Sequence, residues 1–148
     1  MFRQIIVGLD GSEKAKKAAR IAYDLGKTYG GGVTLVHVPH AETAAFVVGA
    51  LSGYHAAITK PSFEEIEKAG QHVLDEAVKI AEDMSFENVK THMPHGDAAN
   101  ELLRHADEID ADLIITGRRG LSGVSSLVLG STTQRINHLA KCASMSIV

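Results

Sequence analysis

The chain has 148 residues, 22% of them charged and 45% hydrophobic, and a formal net charge of −3. That size and balance describe one ordinary globular domain with a real core. Acids and bases interleave without a basic stripe and aromatics make up only 5%, so the electrostatic footprint and stacking surface of a nucleic-acid binder are missing. The lone Cys142 excludes an internal disulfide and fits a reducing compartment; near a helix end it reads as a small apolar residue. Met1-Phe2-Arg3-Gln4 runs straight into a strand pattern. No leader and no bilayer-spanning apolar run is seen, and a cytoplasmic location is expected.

Phe2 to Leu9 reads as a buried strand. Ser12 then caps a helix with Ala15, Ala18, Ala19, Ala22 and Leu25 at helical spacing, ended near Tyr29 by Gly30-Gly31-Gly32. Val33 to Val38 is a second strand, closed by Pro39. Residues 40–61 have no strong period. Ala44 to Leu51 is apolar and small enough for a short helix, and the whole of 40–59 reads equally as a flap, a partner surface or a disordered stretch. Ser62 with Glu65 forms a capping box for a helix whose inner face is Ile66, Ala69, Val73, Ala77, Ile80 and Met84. Asn88 to Met93 is a short third strand. Asp97 caps a helix facing inward through Ala99, Leu102, Leu103 and Ala106. Asp112 to Thr116 is a fourth strand, Gln134 to Lys141 a helix, and Ser144 to Val148 a short last strand. Strands that alternate with helices imply a parallel sheet with helices on both faces.

The connection after the fourth strand carries Gly117-Arg118-Arg119-Gly120, nine residues, then Gly130-Ser131-Thr132-Thr133. Strand, glycine-rich loop and helix start is a context in which backbone N–H groups cradle phosphate, aided by the helix dipole. Ser131, Thr132 and Thr133 add hydroxyls, although Ser131 and Thr132 also suit the N-cap of the helix. Gly130 reads either as part of the cradle or as a turn residue with positive φ. Arg118 and Arg119 either neutralise phosphates or are simply solvated. The run Leu121 to Leu129 is apolar for a loop; it packs on the domain, covers a ligand or meets a partner. Asp10 has two readings as well: a turn residue helped by Gly11, or a carboxylate facing a nucleotide or its metal. The eight histidines show no tight metal-ligand spacing, and His37 reads as an ordinary strand residue.

The full pattern Gly-x2-Gly-x9-Gly-Ser resembles the nucleotide loop of the ATP-binding branch of the universal stress protein family. Ile5-Ile6-Val7-Gly8-Leu9-Asp10-Gly11-Ser12 is similar to that family's first strand and turn, and Gly96 through Gly117 to its third helix and fourth strand. The resemblance covers essentially all of residues 1–148, as one nucleotide-binding domain. It implies a single five-stranded parallel α/β sheet of order 3-2-1-4-5, Rossmann-like, with a topological switch point between the first and fourth strands. It implies ATP with Mg as ligands, at Leu9, Asp10, Gly117, Arg118, Gly120, Gly130, Ser131, Thr132 and Thr133, and main-chain contact of Val38 with adenine. Mg would be held by phosphate oxygens, with Asp10 as the candidate protein ligand. It implies a homodimer through the last strand, although the proline common there is absent after Cys142. The expected function is a nucleotide-dependent regulatory module of the stress response, with an unidentified protein partner. The alternatives are a slow ATPase or phosphotransfer enzyme, a flavin carrier, and a dimeric adaptor indifferent to nucleotide. No Walker lysine or poised general base supports efficient catalysis, and aromatics to sandwich a flavin are scarce.

Overall fold

The computed structural model describes residues 1–52, 60–118, 120–121 and 129–148. The expectations for Arg119, for most of the apolar run Leu121 to Leu129 and for residues 53–59 lie outside the described residues. The elements in chain order are β1 (Gln4–Gly8), α1 (Glu13–Tyr29), β2 (Gly32–Val36), α2 (Ala41–Ser52), α3 (Phe63–Asp83), β3 (Val89–His92), α4 (Ala98–Glu108), β4 (Leu113–Gly117), α5 (Ser131–Leu139) and β5 (Ala143–Ile147). All strand pairs are parallel, in the order β3-β2-β1-β4-β5.

The two-residue period of the strands divides the core. Ile5, Val7, Val33, Leu35, Leu113 and Ile115 face α1 and α3, while Ile6, Val36 and Ile114 face α4 and α5 through Leu102, Ala106 and Ile136. Ile5, Ile6 and Val7 are all fully buried, since β1 has a strand on either side and helices above and below. Tyr23 of α1 donates its hydroxyl to the Ala77 carbonyl of α3 at 2.7 Å and stacks on Phe86.

Local chemistry sets the boundaries. Ser12 accepts from the Ala15 N–H, Asp97 from the Asn100 N–H, and Ser62 with Glu65 makes the reciprocal capping box. The first strand is shorter than Phe2 to Leu9, because Phe2 sits at φ 53°, outside extended geometry. The last helix starts at Ser131 rather than Gln134, and its N-cap is Gly130 instead of Ser131 or Thr132. Residues 41–52 form a helix longer than Ala44 to Leu51, seated on α3 by buried Ala44 and Val47. β5 starts at Ala143, and it is an edge strand.

Asp112 fastens the start of β1: its carboxylate accepts from the N–H groups of Arg3 at 2.7 Å and Gln4 at 2.8 Å. Those two backbone bonds hold its carboxyl below the ordinary range. A depressed carboxyl stabilises the fold above its unfolded pKa of about 3.9, and the contribution fades as pH falls toward the folded value. Asp112→Asn is therefore expected to lower the melting temperature at pH 7 and to flatten its decline below pH 4, measured by calorimetry.

Gly30-Gly31-Gly32 separates into distinct jobs. Gly30, at φ 66°, is the left-handed C-cap of α1 and has open space around it. A methyl on Gly31 would lie 2.6 Å from the Phe2 carbonyl oxygen and 2.8 Å from the Arg3 Cα, both of them backbone. Gly31→Ala is expected to cost about 1–3 kcal/mol through overpacking, and Gly30→Ala only about 1 kcal/mol of left-handed strain. Urea unfolding of the two variants checks the ranking; equal losses would place both effects in the backbone conformation.

Candidate functional site

β1 and β4 are neighbours, yet α1 packs on one face of the sheet and α5 on the other. Their chains part at the carboxyl ends of the strands and leave a crevice, the usual ligand position in such sheets. A cavity of about 350 Å³ opens there. Leu9, Asp10, Val38, Gly117, Gly120, Gly130, Ser131, Thr132 and Thr133 all line it, so segments more than 100 residues apart in sequence meet. Arg118 does not line it. Its backbone instead ties the loop to the sheet, with its N–H donating to the Ile147 carbonyl at 2.7 Å and its carbonyl accepting from the Gly130 N–H at 2.9 Å.

Asp10 closes the turn after β1 and lines the cavity. Oδ1 accepts from the Ser12 N–H at 2.9 Å, closing a turn in which Gly11 takes φ 89°. Oδ2 points across the crevice to the glycine loop, 3.0 Å from where a Cβ on Gly120 would stand. Gly120 thus gives the carboxylate its room. Gly130 is different: at φ −57°, ψ 149° it has a backbone open to any residue, which overturns its reading as a positive-φ turn glycine.

The hydroxyls of the motif also separate. Thr133 is 3% exposed, donates to the Gly117 carbonyl at 2.8 Å and stands 3.2 Å from the Thr116 hydroxyl. It locks α5 to the end of β4. Ser131 and Thr132 make no side-chain hydrogen bond to a described residue, and α5 has no side-chain cap. The helices α1, α3 and α4 each carry a side-chain cap; among the described residues no side chain caps the start of α5, whose first residues line the cavity. Such an end favours an anion.

Several lining residues had no functional reading in the sequence. Asp97, foreseen only as a cap, also faces the cavity, and its Oδ1 accepts from Arg135 of α5 at 2.7 Å. His40, Glu42 and the buried Thr43 bring the start of α2 into the wall. His37 is 1% exposed, and its Nδ1 lies 2.8 Å from the Leu9 carbonyl oxygen. Burial, offset in part by that bond and by Asp10, holds its pKa below the ordinary value. Among the described residues no three His, Cys, Asp or Glu side chains gather as metal ligands, and no helix is long and apolar enough to cross a membrane.

The sequence matches the universal stress protein family over residues 1–147. Universal stress protein YxiE of Bacillus subtilis is 29% identical over 148 residues, covering 96% of each chain. A universal stress protein of Thermus aquaticus is 34% identical, again over 96% of each. Among solved structures, the universal stress protein from Archaeoglobus fulgidus in complex with dAMP superposes with a TM-score of 0.70 at 22% identity, over 100% of both chains. A universal stress protein in complex with cAMP superposes with a TM-score of 0.71 at 23% identity, over 99% of this chain and 97% of that one. Sequence and fold agree on the assignment: the chain belongs to the universal stress protein family.

Proposed function

We propose that residues 1–148 form one adenine-nucleotide-binding domain, that ATP with Mg is the ligand, and that its presence regulates contact with a protein partner. The observation that carries this is the bare N-terminus of α5 opening into the cavity beside Asp10 and Gly120. Phosphate would rest on the backbone around Gly117, Gly120 and Gly130 and on the hydroxyls of Ser131 and Thr132, and adenine on the main chain of Val38. Two solved relatives of this fold bind dAMP and cAMP, which share adenine and one phosphate.

The lining also bears on Mg. Among its described residues are Asp10, Glu42 and Asp97 and no lysine or arginine. A triphosphate entering such a wall needs a divalent cation, held by phosphate oxygens with Asp10 Oδ2 in reach. By titration calorimetry, ATP is expected to bind in the presence of magnesium and to lose about tenfold or more on chelation, while AMP loses much less. Folded protein that binds no adenine nucleotide with magnesium present would sink the proposal.

Gly130 gives a sharper test, because its φ is ordinary. Gly130→Val is expected to melt within about 1 kcal/mol of the wild type and to lose ATP binding, since a branched side chain would occupy the phosphate position. A folded variant with unchanged affinity would remove the cradle.

A homodimer is proposed on the open edge of β5. Ala143 and Ser144 are exposed there, and an unpaired edge strand invites pairing. Light scattering at micromolar concentration is expected to give twice the chain mass, and deletion of Ser144–Val148 a monomer. A monomeric intact chain would reject this arrangement.

A further inference from the structure

The β1–β2 ladder ends in an unusual way. The last paired residues are Gly8 and Val36, and one more backbone bond follows, from the Leu9 N–H to the Val36 carbonyl at 2.8 Å. In a parallel ladder a residue that donates to one partner accepts from the partner two positions on. The next bond should therefore run from the Val38 N–H to the Leu9 carbonyl. It is not made. The Leu9 carbonyl is met instead by His37 Nδ1 at 2.8 Å, and the Val38 N–H has no hydrogen-bond partner among the described residues. Val38 is 6% exposed and lines the cavity. An N–H without a protein partner is available to a ligand, and this one belongs to a residue of the cavity wall.

The chemistry of the ring fixes its state. A carbonyl oxygen only accepts, so Nδ1 carries the hydrogen and Nε2 the lone pair. Nε2 is buried without a partner among the described residues, so a second proton would find no acceptor there, and burial disfavours the charge. The ring's space comes from α3: a methyl on Gly70 would stand 3.0 Å from His37 Cδ2 and 3.3 Å from Nε2. A glycine inside a helix is unfavourable against alanine, and here it makes room for an imidazole. The His37 N–H itself donates to the His92 carbonyl at 3.1 Å, so the backbone around the ring is held on the β3 side as well.

We propose that His37 is a positioning residue for adenine. Its Nδ1–H takes the place of the Val38 N–H in the sheet and leaves that N–H free to donate to a ring nitrogen of the base. This rests on the nucleotide-binding reading above. It also gives selectivity: adenine offers N1 as an acceptor, whereas hypoxanthine carries a hydrogen on N1 and would set donor against donor.

AMP and IMP titrations of wild type, His37→Leu and His37→Asn test it. In His37→Leu the Leu9 carbonyl recaptures the Val38 N–H. AMP affinity is expected to fall about tenfold, the worth of one hydrogen bond, and the AMP-to-IMP preference to collapse. His37→Asn keeps a donor near the position of Nδ1 and is expected to stay within about threefold of wild type on both counts. A folded His37→Leu protein with wild-type affinity and preference overturns the proposal. A second measurement stands even if that variant does not fold. Long-range proton–nitrogen NMR of the wild type is expected to show neutral His37 protonated at Nδ1, with the Val38 amide exchanging fast when free and protected by AMP. An Nε2–H tautomer, or a Val38 amide already protected in the free protein, overturns it. Wild type that binds neither nucleotide defeats the nucleotide reading, while the tautomer and the free-state Val38 exchange still decide whether His37 replaces the ladder bond.

Discussion

The structure depends on where β1 lies. Ile5, Ile6 and Val7 leave no exposed surface, because β2 and β4 pair with the strand on its two sides while helices cover its two faces. Its chain must leave toward α1 while the neighbouring β4 leaves toward α5, and the gap between those departures is the cavity. The apolar run that stabilises the fold and the crevice at its end are consequences of one placement. Asp112 guards the other end of the same strand through the Arg3 and Gln4 amides.

Much of this was legible in the residues. Ser12, Ser62 with Glu65, and Asp97 announce helix starts because capping is local: the acceptor and the N–H it serves are two or three residues apart. Strands surrounded by the core read as aliphatic runs, so their existence was clear and only their ends shifted, as at Phe2. Gly-x2-Gly-x9-Gly-Ser pointed to the crevice: Gly117, Gly120, Gly130, Ser131, Thr132 and Thr133 line the cavity, as do Leu9, Asp10 and Val38.

What stayed hidden was tertiary. α2 shows no clear period because it is apolar on nearly every side, with Phe46 44% exposed while Ala44 and Val47 are buried; pattern reading depends on contrast between faces. Arg118, which read as either a phosphate neutraliser or a solvated residue, does not line the cavity, and its backbone is engaged with Ile147 and Gly130. Thr133 looked like a free hydroxyl and is a lock on β4. His37 looked like an ordinary strand residue, since its bond to Leu9 spans 28 positions of sequence and nothing in its neighbours betrays it.

The bare start of α5 carries a thermodynamic consequence. A capping side chain is worth a few tenths of a kcal/mol, roughly, over glycine at the N-cap, and Gly130 forgoes it. An anion bound at that helix start, as proposed, would satisfy its N–H groups and add its own binding energy to the stability of the folded state. Ligand occupancy and resistance to unfolding become two measures of one equilibrium, coupled by mass action.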